Sequence, residues 1–338
     1  MLRRKLFFVF LFLFLQQNFA ENIQQFGSIG DLKLESGKIL HDCKIGYRTF
    51  GSLNIDGTNA ILIPTWFAGV SKDVVSLLGT DKLIDTSNYF IIVVDALGNG
   101  VSTSPTNYTD ETTFPQITIR DMVESEYKLV KNVLKIDHLF AVIGGSMGSM
   151  QAFELVVAYP DFMDKAIPYS ATPKVTSNEK IIFSLMKEII VSGKKYQEPE
   201  NEIIKKLNIT IQLLARTPAN TNRNYPSDKF PEIEKKFERT SPVFTSACYL
   251  TQLEAMFTHD ITRNYNSSFG ETAKHIKAKL FIIVSQTDLL LNPLPALDFA
   301  VAANSKTLLL KNDCGHLAVG CEMELCRTEI QKFLKEKP

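Results

Sequence analysis

The sequence predicts an α/β fold of one domain: a mostly parallel central sheet covered by helices on both faces, with a helical insertion set into it. Three observations predict it. Short apolar runs alternate with segments of helical periodicity over the first half of the chain. The alternation stops between about residues 173 and 270, where Lys, Glu, Asn and Thr are frequent and no good apolar strand occurs. It then resumes with a very apolar run, so the polar stretch reads as an insertion between two strands and not as a separate domain.

Taken in order, short β-like segments bounded by Gly and Asp run from about residue 29 to 49. Residues 60–63 and 90–94 are continuous apolar runs, the pattern of strands buried on both faces. Between residues 117 and 134, Met122, Val123, Tyr127, Val130 and Leu134 keep helical spacing. Residues 138–143 form a third strand, 151–158 a helix and 165–169 a fourth strand. Inside the insertion, 181–190 and 203–215 are helical, and 229–240 is a charged helix or loop. Residues 280–284 and 307–310 complete the sheet, and no repeat or low-complexity linker divides the chain.

With 338 residues, 45% hydrophobic and 22% charged, the composition suits a globular protein and excludes a disordered chain, a collagen and a coiled coil. Thirty-seven Lys and Arg balance 37 Asp and Glu, so nothing global points to nucleic acid as a partner. The balance hides an asymmetry. Residues 1–20 carry Arg3, Arg4 and Lys5 and no acid, which leaves 34 bases against 37 acids from Glu21 onward. That basic start precedes ten apolar residues, 6–15, and then Gln16, Gln17 and Asn18, the order of a secretory signal peptide. The apolar run is too short for a bilayer, which takes about 20 residues. Asn18, at the −3 position, departs from the small-x-small cleavage rule, so an uncleaved N-terminal anchor is the alternative. The expectation is a secreted, periplasmic or secretory-pathway protein, with no stable membrane insertion once residues 1–20 are removed.

Five cysteines, at 43, 248, 314, 321 and 326, are few for a disulfide scaffold. Export permits a bridge or two, and the closeness of Cys314, Cys321 and Cys326 suits a local loop clamp, but the pairing is not fixed by sequence. No metal site is expected, because the one nearby histidine, His316, has a better use. The Asn-x-Ser/Thr triplets at Asn107, Asn208 and Asn266 are what chance gives in an Asn-rich chain.

The chemistry begins where the strand at 138–143 runs into Gly144-Gly145-Ser146-Met147-Gly148, a G-x-S-x-G with a helix-capable stretch behind it. In that context Ser146 sits on a strained strand-to-helix turn, where flanking glycines remove clashing side chains. The helix N-terminus favours developing negative charge. The alternative is a glycine-rich turn with an idle serine. A serine nucleophile needs an acid and then a histidine, in that chain order. Asp288 follows the strand at 280–284, and His316 follows the strand at 307–310, so both fall in loops beyond C-terminal strand ends, where such sites gather. Asp313, three residues before His316, is the rival acid and reads better as a turn residue. His41, His138 and His275 lack that context, while His259, followed by Asp260, is a candidate pocket residue. One oxyanion donor should be the backbone N–H of Met147, and a second should come from the loop Pro64-Thr65-Trp66-Phe67-Ala68-Gly69. Trp66, the only tryptophan, either walls the acyl pocket or anchors the core.

At these residues a family appears. Phe114-Pro115-Gln116-Ile117-Thr118-Ile119-Arg120-Asp121-Met122-Val123, then Gly144-Gly145-Ser146-Met147-Gly148-Ser149-Met150-Gln151-Ala152 and Tyr159-Pro160, closely resemble homoserine O-acetyltransferases of the α/β-hydrolase superfamily. Asp95-Ala96-Leu97-Gly98-Asn99-Gly100 and the Asp288 and His316 loops fall into step, and the resemblance runs from about Leu34 to the C-terminus, weakly across the insertion. It implies the α/β-hydrolase fold, an acyl-serine on Ser146, His316 as base and Asp288 as its orienter. It also implies a helical lid made by the insertion, and often a homodimer formed through that lid.

The departures matter. The family's His-Ala-Leu-Thr-Gly is here Thr65-Trp66-Phe67-Ala68-Gly69, which places Phe67 where the second backbone donor would be. Gly-His-Asp becomes Gly315-His316-Leu317. In the lid, Leu214-Ala215-Arg216 is similar to a family stretch, which makes Arg216 a candidate for binding an acceptor. A secretory leader would remove the chain from cytosolic acetyl-CoA and homoserine. The sequence therefore supports an exported serine-dependent acyl-transfer enzyme that hydrolyses a small ester or thioester and uses no cofactor. A true O-acetyltransferase, with acetyl-CoA as donor, is the alternative, and a non-catalytic binding protein on a hydrolase scaffold is the second alternative.

Overall fold

The computed structural model describes residues 23–108 and 114–337, so the signal-peptide reading of residues 1–20 lies outside the described residues. Eight strands form the sheet: β1 (Gln25–Lys33), β2 (Ile39–Phe50), β3 (Ala60–Pro64), β4 (Phe90–Val94), β5 (Leu139–Gly145), β6 (Met163–Tyr169), β7 (Lys279–Ser285) and β8 (Lys306–Leu310). Their order is β1-β2-β4-β3-β5-β6-β7-β8. Only β2 runs opposite to the other strands, so its pairings with β1 and β4 are antiparallel and all the others are parallel.

Between the strands lie α1 (Ser71–Val74), α2 (Ile119–Lys128) and α3 (Met147–Ala158). After β6 come α4 (Ser177–Lys195), α5 (Glu200–Ala215), α6 (Pro218–Asn224), α7 (Phe230–Phe237), α8 (Ser246–Phe257) and α9 (Phe269–Ala273). Then α10 (Leu294–Ala302) precedes β8, and α11 (Ala318–Cys321) and α12 (Met323–Lys335) follow it.

The apolar runs read as buried strands because successive side chains enter opposite layers. Ile61, Ile63, Ile91, Val93, Ala141 and Ile143 pack with Val74 of α1 and with Ile330 and Phe333 of α12. Leu62, Ile92, Val94 and Val142 pack on the other side with Met122 of α2, Phe153 of α3 and Phe299 of α10. Both faces are therefore dry, as an α/β sheet requires.

Element boundaries differ from the sequence reading for identifiable reasons. Helix α2 starts at Ile119, two residues later than its periodicity, because the Thr118 side chain accepts from the Asp121 N–H and the Asp121 carboxylate caps Thr118 in return. Helix α3 starts at Met147, four residues early. Residues 147–157 are buried on every side, so no polar face marks where it begins. Helix α8 is absent from the sequence reading for the same reason, since Cys248, Tyr249, Gln252, Leu253, Ala255 and Met256 are all buried in it, and α10 is absent because apolar Leu294 and Val301 stand on its exposed face. Helix α12 carries a readable stripe, Cys326, Ile330, Phe333 and Leu334, that the sequence reading omits.

Cys314 and Cys321 are disulfide-bonded, while Cys43, Cys248 and Cys326 are free and buried. Burial pushes the Cys43 thiol up to about 11 and the Cys326 thiol up to about 12, which makes both poor nucleophiles. Among the described residues no helix is long and apolar enough to cross a membrane.

Candidate active site

Ser146 is the single residue between β5 and α3, and its backbone sits at φ 55° and ψ −123°. A non-glycine residue there costs on the order of 1–3 kcal/mol and persists only when its surroundings insist. They do: the Ser146 N–H donates to the Tyr169 carbonyl of β6 at 3.1 Å. The flanking glycines are steric necessities. A Cβ on Gly144 would lie 2.0 Å from the Gly148 carbonyl oxygen, one on Gly145 2.2 Å from the Tyr169 ring, and one on Gly148 2.7 Å from the Pro64 carbonyl oxygen.

The turn aims Ser146 Oγ at His316, whose Nε2 is 2.9 Å away. On the other side of the ring, His316 Nδ1 lies 2.7 Å from Asp288 Oδ2. The second Asp288 oxygen accepts the N–H groups of Leu290 and Leu291 at 2.9 and 3.0 Å. Asp288 accepts a hydrogen bond from the His316 Nδ1–H, which leaves Nε2 as the acceptor for the serine hydroxyl. Both side chains are shielded, with exposures of 10% for His316 and 3% for Asp288.

The loop carrying His316 is tied down at many points. Ser285 Oγ donates to the Gly315 carbonyl at 2.7 Å, and Ser170 Oγ donates to the His316 carbonyl at 3.0 Å. Thr287 Oγ1 donates to the Asn312 carbonyl and accepts the Gly315 N–H. Gly315 has φ 64°, and a Cβ there would come 3.0 Å from the Arg216 backbone. The Cys314–Cys321 bridge encloses His316.

Two backbone N–H groups are the candidates for an oxyanion hole. Met147 is the first residue of α3, so its N–H belongs to the unpaired first turn. The other candidate, Phe67, lies in a tight turn closed by the Gly69 N–H donating to the Trp66 carbonyl at 3.0 Å. Gln151 of α3 donates to the Thr65 carbonyl at 3.0 Å. Gln252 of α8 accepts the Ala68 N–H at 3.1 Å. The Phe67 ring packs edge-on against Tyr249 of α8, with centroids 5.4 Å apart.

Residues 61–320 match the family described as the alpha/beta hydrolase fold. The chain belongs to the α/β-hydrolase family. It is 31% identical to a probable esterase of Corynebacterium glutamicum, over 91% of this chain and 94% of that protein. It is 30% identical to a homoserine O-acetyltransferase of Methanohalobium evestigatum, over 85% of this chain and 68% of the other. The solved structure of an acetylester hydrolase from Corynebacterium glutamicum matches with a TM-score of 0.83 at 26% identity, covering 93% of this chain and 95% of that one. Ester hydrolysis and acyl transfer are thus both represented among the relatives of this α/β-hydrolase.

The remaining residues singled out in the sequence go to different places in the α/β-hydrolase. Asp313 faces the insertion, where Arg223 of α6 grips it with two bonds of 2.5 and 2.6 Å. The bond from Arg223 pulls its carboxyl down to about 2. Trp66 packs against the core cluster on the α12 side of the sheet, and Phe67 against the cluster on the other side. Arg216 ends α5 with its backbone against Gly315, and its guanidinium donates to Gln212 at 3.1 Å.

The pocket reading of His259 needs correcting, because the structure does not bring His259 to Ser146. The chain beyond α8 carries it back onto the third turn of α3. There it is 3% exposed and lines a separate cavity of about 380 Å³ with Glu35, Arg120, Glu154 and Arg263. Arg263 bridges Glu154 at 2.8 Å and Glu35 at 3.0 Å. Burial outweighs the nearby carboxylates and pushes His259 down to about 4, so it is neutral at pH 7. Among the described residues no group of three or more His, Cys, Asp or Glu is placed to hold a metal ion.

Proposed function

We propose that the chain is an exported serine hydrolase that cleaves small esters or thioesters through an acyl-Ser146 intermediate. The observation that carries this reading is the unbroken chain of hydrogen bonds from Ser146 Oγ through His316 to Asp288, on a serine held in a strained strand-to-helix turn. Ser146 Oγ attacks the acyl carbonyl while His316 Nε2 takes its proton and Asp288 stabilises the imidazolium. The N–H groups of Met147 and Phe67 receive the negative charge of the tetrahedral intermediate, each worth about 3–4 kcal/mol. His316 then returns the proton to the departing alcohol or thiol. Water, deprotonated by the same histidine, releases the acid and regenerates Ser146. These steps call on no cofactor.

Export is supported by the order of charges and apolar residues in 1–20 and by the Cys314–Cys321 bridge, a bond suited to oxidising compartments. Water as acceptor is supported by the near full-length match to a probable esterase. A second reading, transfer of the acyl group to an alcohol with acetyl-CoA as donor, is supported by the match to a homoserine O-acetyltransferase and by Arg216, whose backbone lies against Gly315 beside His316.

A serine-directed fluorophosphonate tests the nucleophile, and p-nitrophenyl acetate turnover with and without homoserine tests the acceptor. Labelling of the wild type but not of Ser146→Ala, with turnover independent of homoserine, is the expected result. No labelling of Ser146 would remove both readings. Product release that requires homoserine would replace the first by the second.

A further inference from the structure

Gln252 is a polar side chain with no exposure, set in the otherwise apolar inner face of α8. Its two amide atoms have different partners. Oε1 accepts the Ala68 N–H at 3.1 Å, and Nε2 donates to the Leu97 carbonyl, in the loop after β4, at 3.4 Å. Asn99 of that loop also donates to the Gly69 carbonyl at 3.2 Å.

The turn from Trp66 to Gly69 has Phe67 and Ala68 at its centre, with Ala68 at φ 59°. A positive φ at the third position is the mark of a type II turn, which normally places glycine or asparagine there. Alanine prefers the type I form, in which the peptide between the two central residues is turned over. The N–H that Gln252 accepts belongs to that central peptide, because a peptide unit moves as one plane. The acceptor on α8 therefore opposes the intrinsic preference of Ala68. Tyr249, one turn earlier on the same helix, packs on the Phe67 ring and holds the other central residue.

We propose that Gln252 is a positioning residue: from the insertion, it holds the Phe67–Ala68 peptide, and through it the adjoining peptide whose Phe67 N–H faces the reacting carbonyl. This rests on the serine hydrolase reading above. Gln252 touches no reacting atom in this account and acts through Ala68.

The test uses the full chain and p-nitrophenyl acetate, with active sites counted by fluorophosphonate titration so that misfolded protein is not scored. Gln252→Met keeps the volume and removes the amide. It is expected to lower kcat per titrated site by about 10- to 100-fold with KM within about threefold, the signature of a displaced transition-state donor. Adding Ala68→Gly to that background removes the penalty for positive φ and should recover at least about threefold of the loss. Gln252→Ala is read by the same criteria if Gln252→Met does not accumulate. A kcat per site within about threefold of wild type would overturn the proposal, as would an activity loss that Ala68→Gly leaves untouched. Failure of the nucleophile reading is distinguishable, because it appears as an unlabelled Ser146 in the wild type before any variant is made.

Discussion

The C-terminal strand ends and the insertion between β6 and β7 organise the site by different means. At the strand ends the chain delivers each group itself: Ser146 directly follows β5, Asp288 lies just beyond β7, and His316 lies in the loop after β8. Parallel strands in register leave those loops side by side, so three residues far apart in sequence meet without long side chains reaching across. The insertion supplies none of the three. Thr217, Asn220 and Arg223 hold Asp313, and Gln252 holds Ala68. The sheet decides which groups meet, and the insertion adds to the grip that Ser170, Ser285 and Thr287 of the core already have on the His316 loop.

The sharpest way to break this comparison is to exchange the two acids near His316. Asp288→Asn should lower kcat by about 10³- to 10⁴-fold, since the amide presents the wrong hydrogen-bonding pattern to Nδ1. Asp313→Asn removes only a grip from α6 and should leave kcat within about threefold. Steady-state kinetics on an acetyl ester separates the two, and the reverse ranking would contradict the division between sheet and insertion.

A smaller effect concerns His259. It is held near 4 when folded against about 6.5 when unfolded, so the unfolded chain takes up its proton first as pH falls. Stability from this residue is complete above about pH 6.5 and is lost progressively down to about pH 4, by up to about 3 kcal/mol. Urea unfolding at pH 7 and 4.5 should show a shallower decline for His259→Gln than for wild type. Parallel declines would mean that His259 is not the titrating group.

The disulfide should contribute slightly less. Closing so short a loop is worth about 2–3 kcal/mol in the chain-entropy account, so Cys314→Ser with Cys321→Ser should lower the thermal midpoint. Activity lost before global unfolding would show that the bridge steadies the His316 loop in particular. An unchanged midpoint would assign the loop's stiffness to Ser170, Ser285 and Thr287 alone.

Much of this was legible in the sequence, and the reason is locality. Gly144 meets Gly148 within the strand-serine-helix turn itself, and Gly145 and Gly148 clear the adjacent strands β6 and β3, so a short local motif marks the geometry. Asp288 and His316 were readable because apolar runs mark strand ends, and the parallel sheet brings those ends together. Gln252 left no such trace. Its partner Ala68 is 184 residues away in sequence, and a lone glutamine in an apolar helix gives no sign of which backbone group it meets. His259 misled for a related reason: Asp260 beside it suggested a pocket, whereas the chain beyond α8 turns it toward Glu154. The onset of α3 was obscured by burial on every side, because periodicity reports a helix only where one face is wet.

The central claim is the covalent intermediate on Ser146, and intact-mass spectrometry of protein quenched during p-nitrophenyl acetate turnover tests it most directly. The account predicts a mass increase of one acetyl group, mapped to the peptide containing Ser146 and absent in Ser146→Ala. Sustained turnover by Ser146→Ala, or an acetyl group mapped to a different residue, would contradict it.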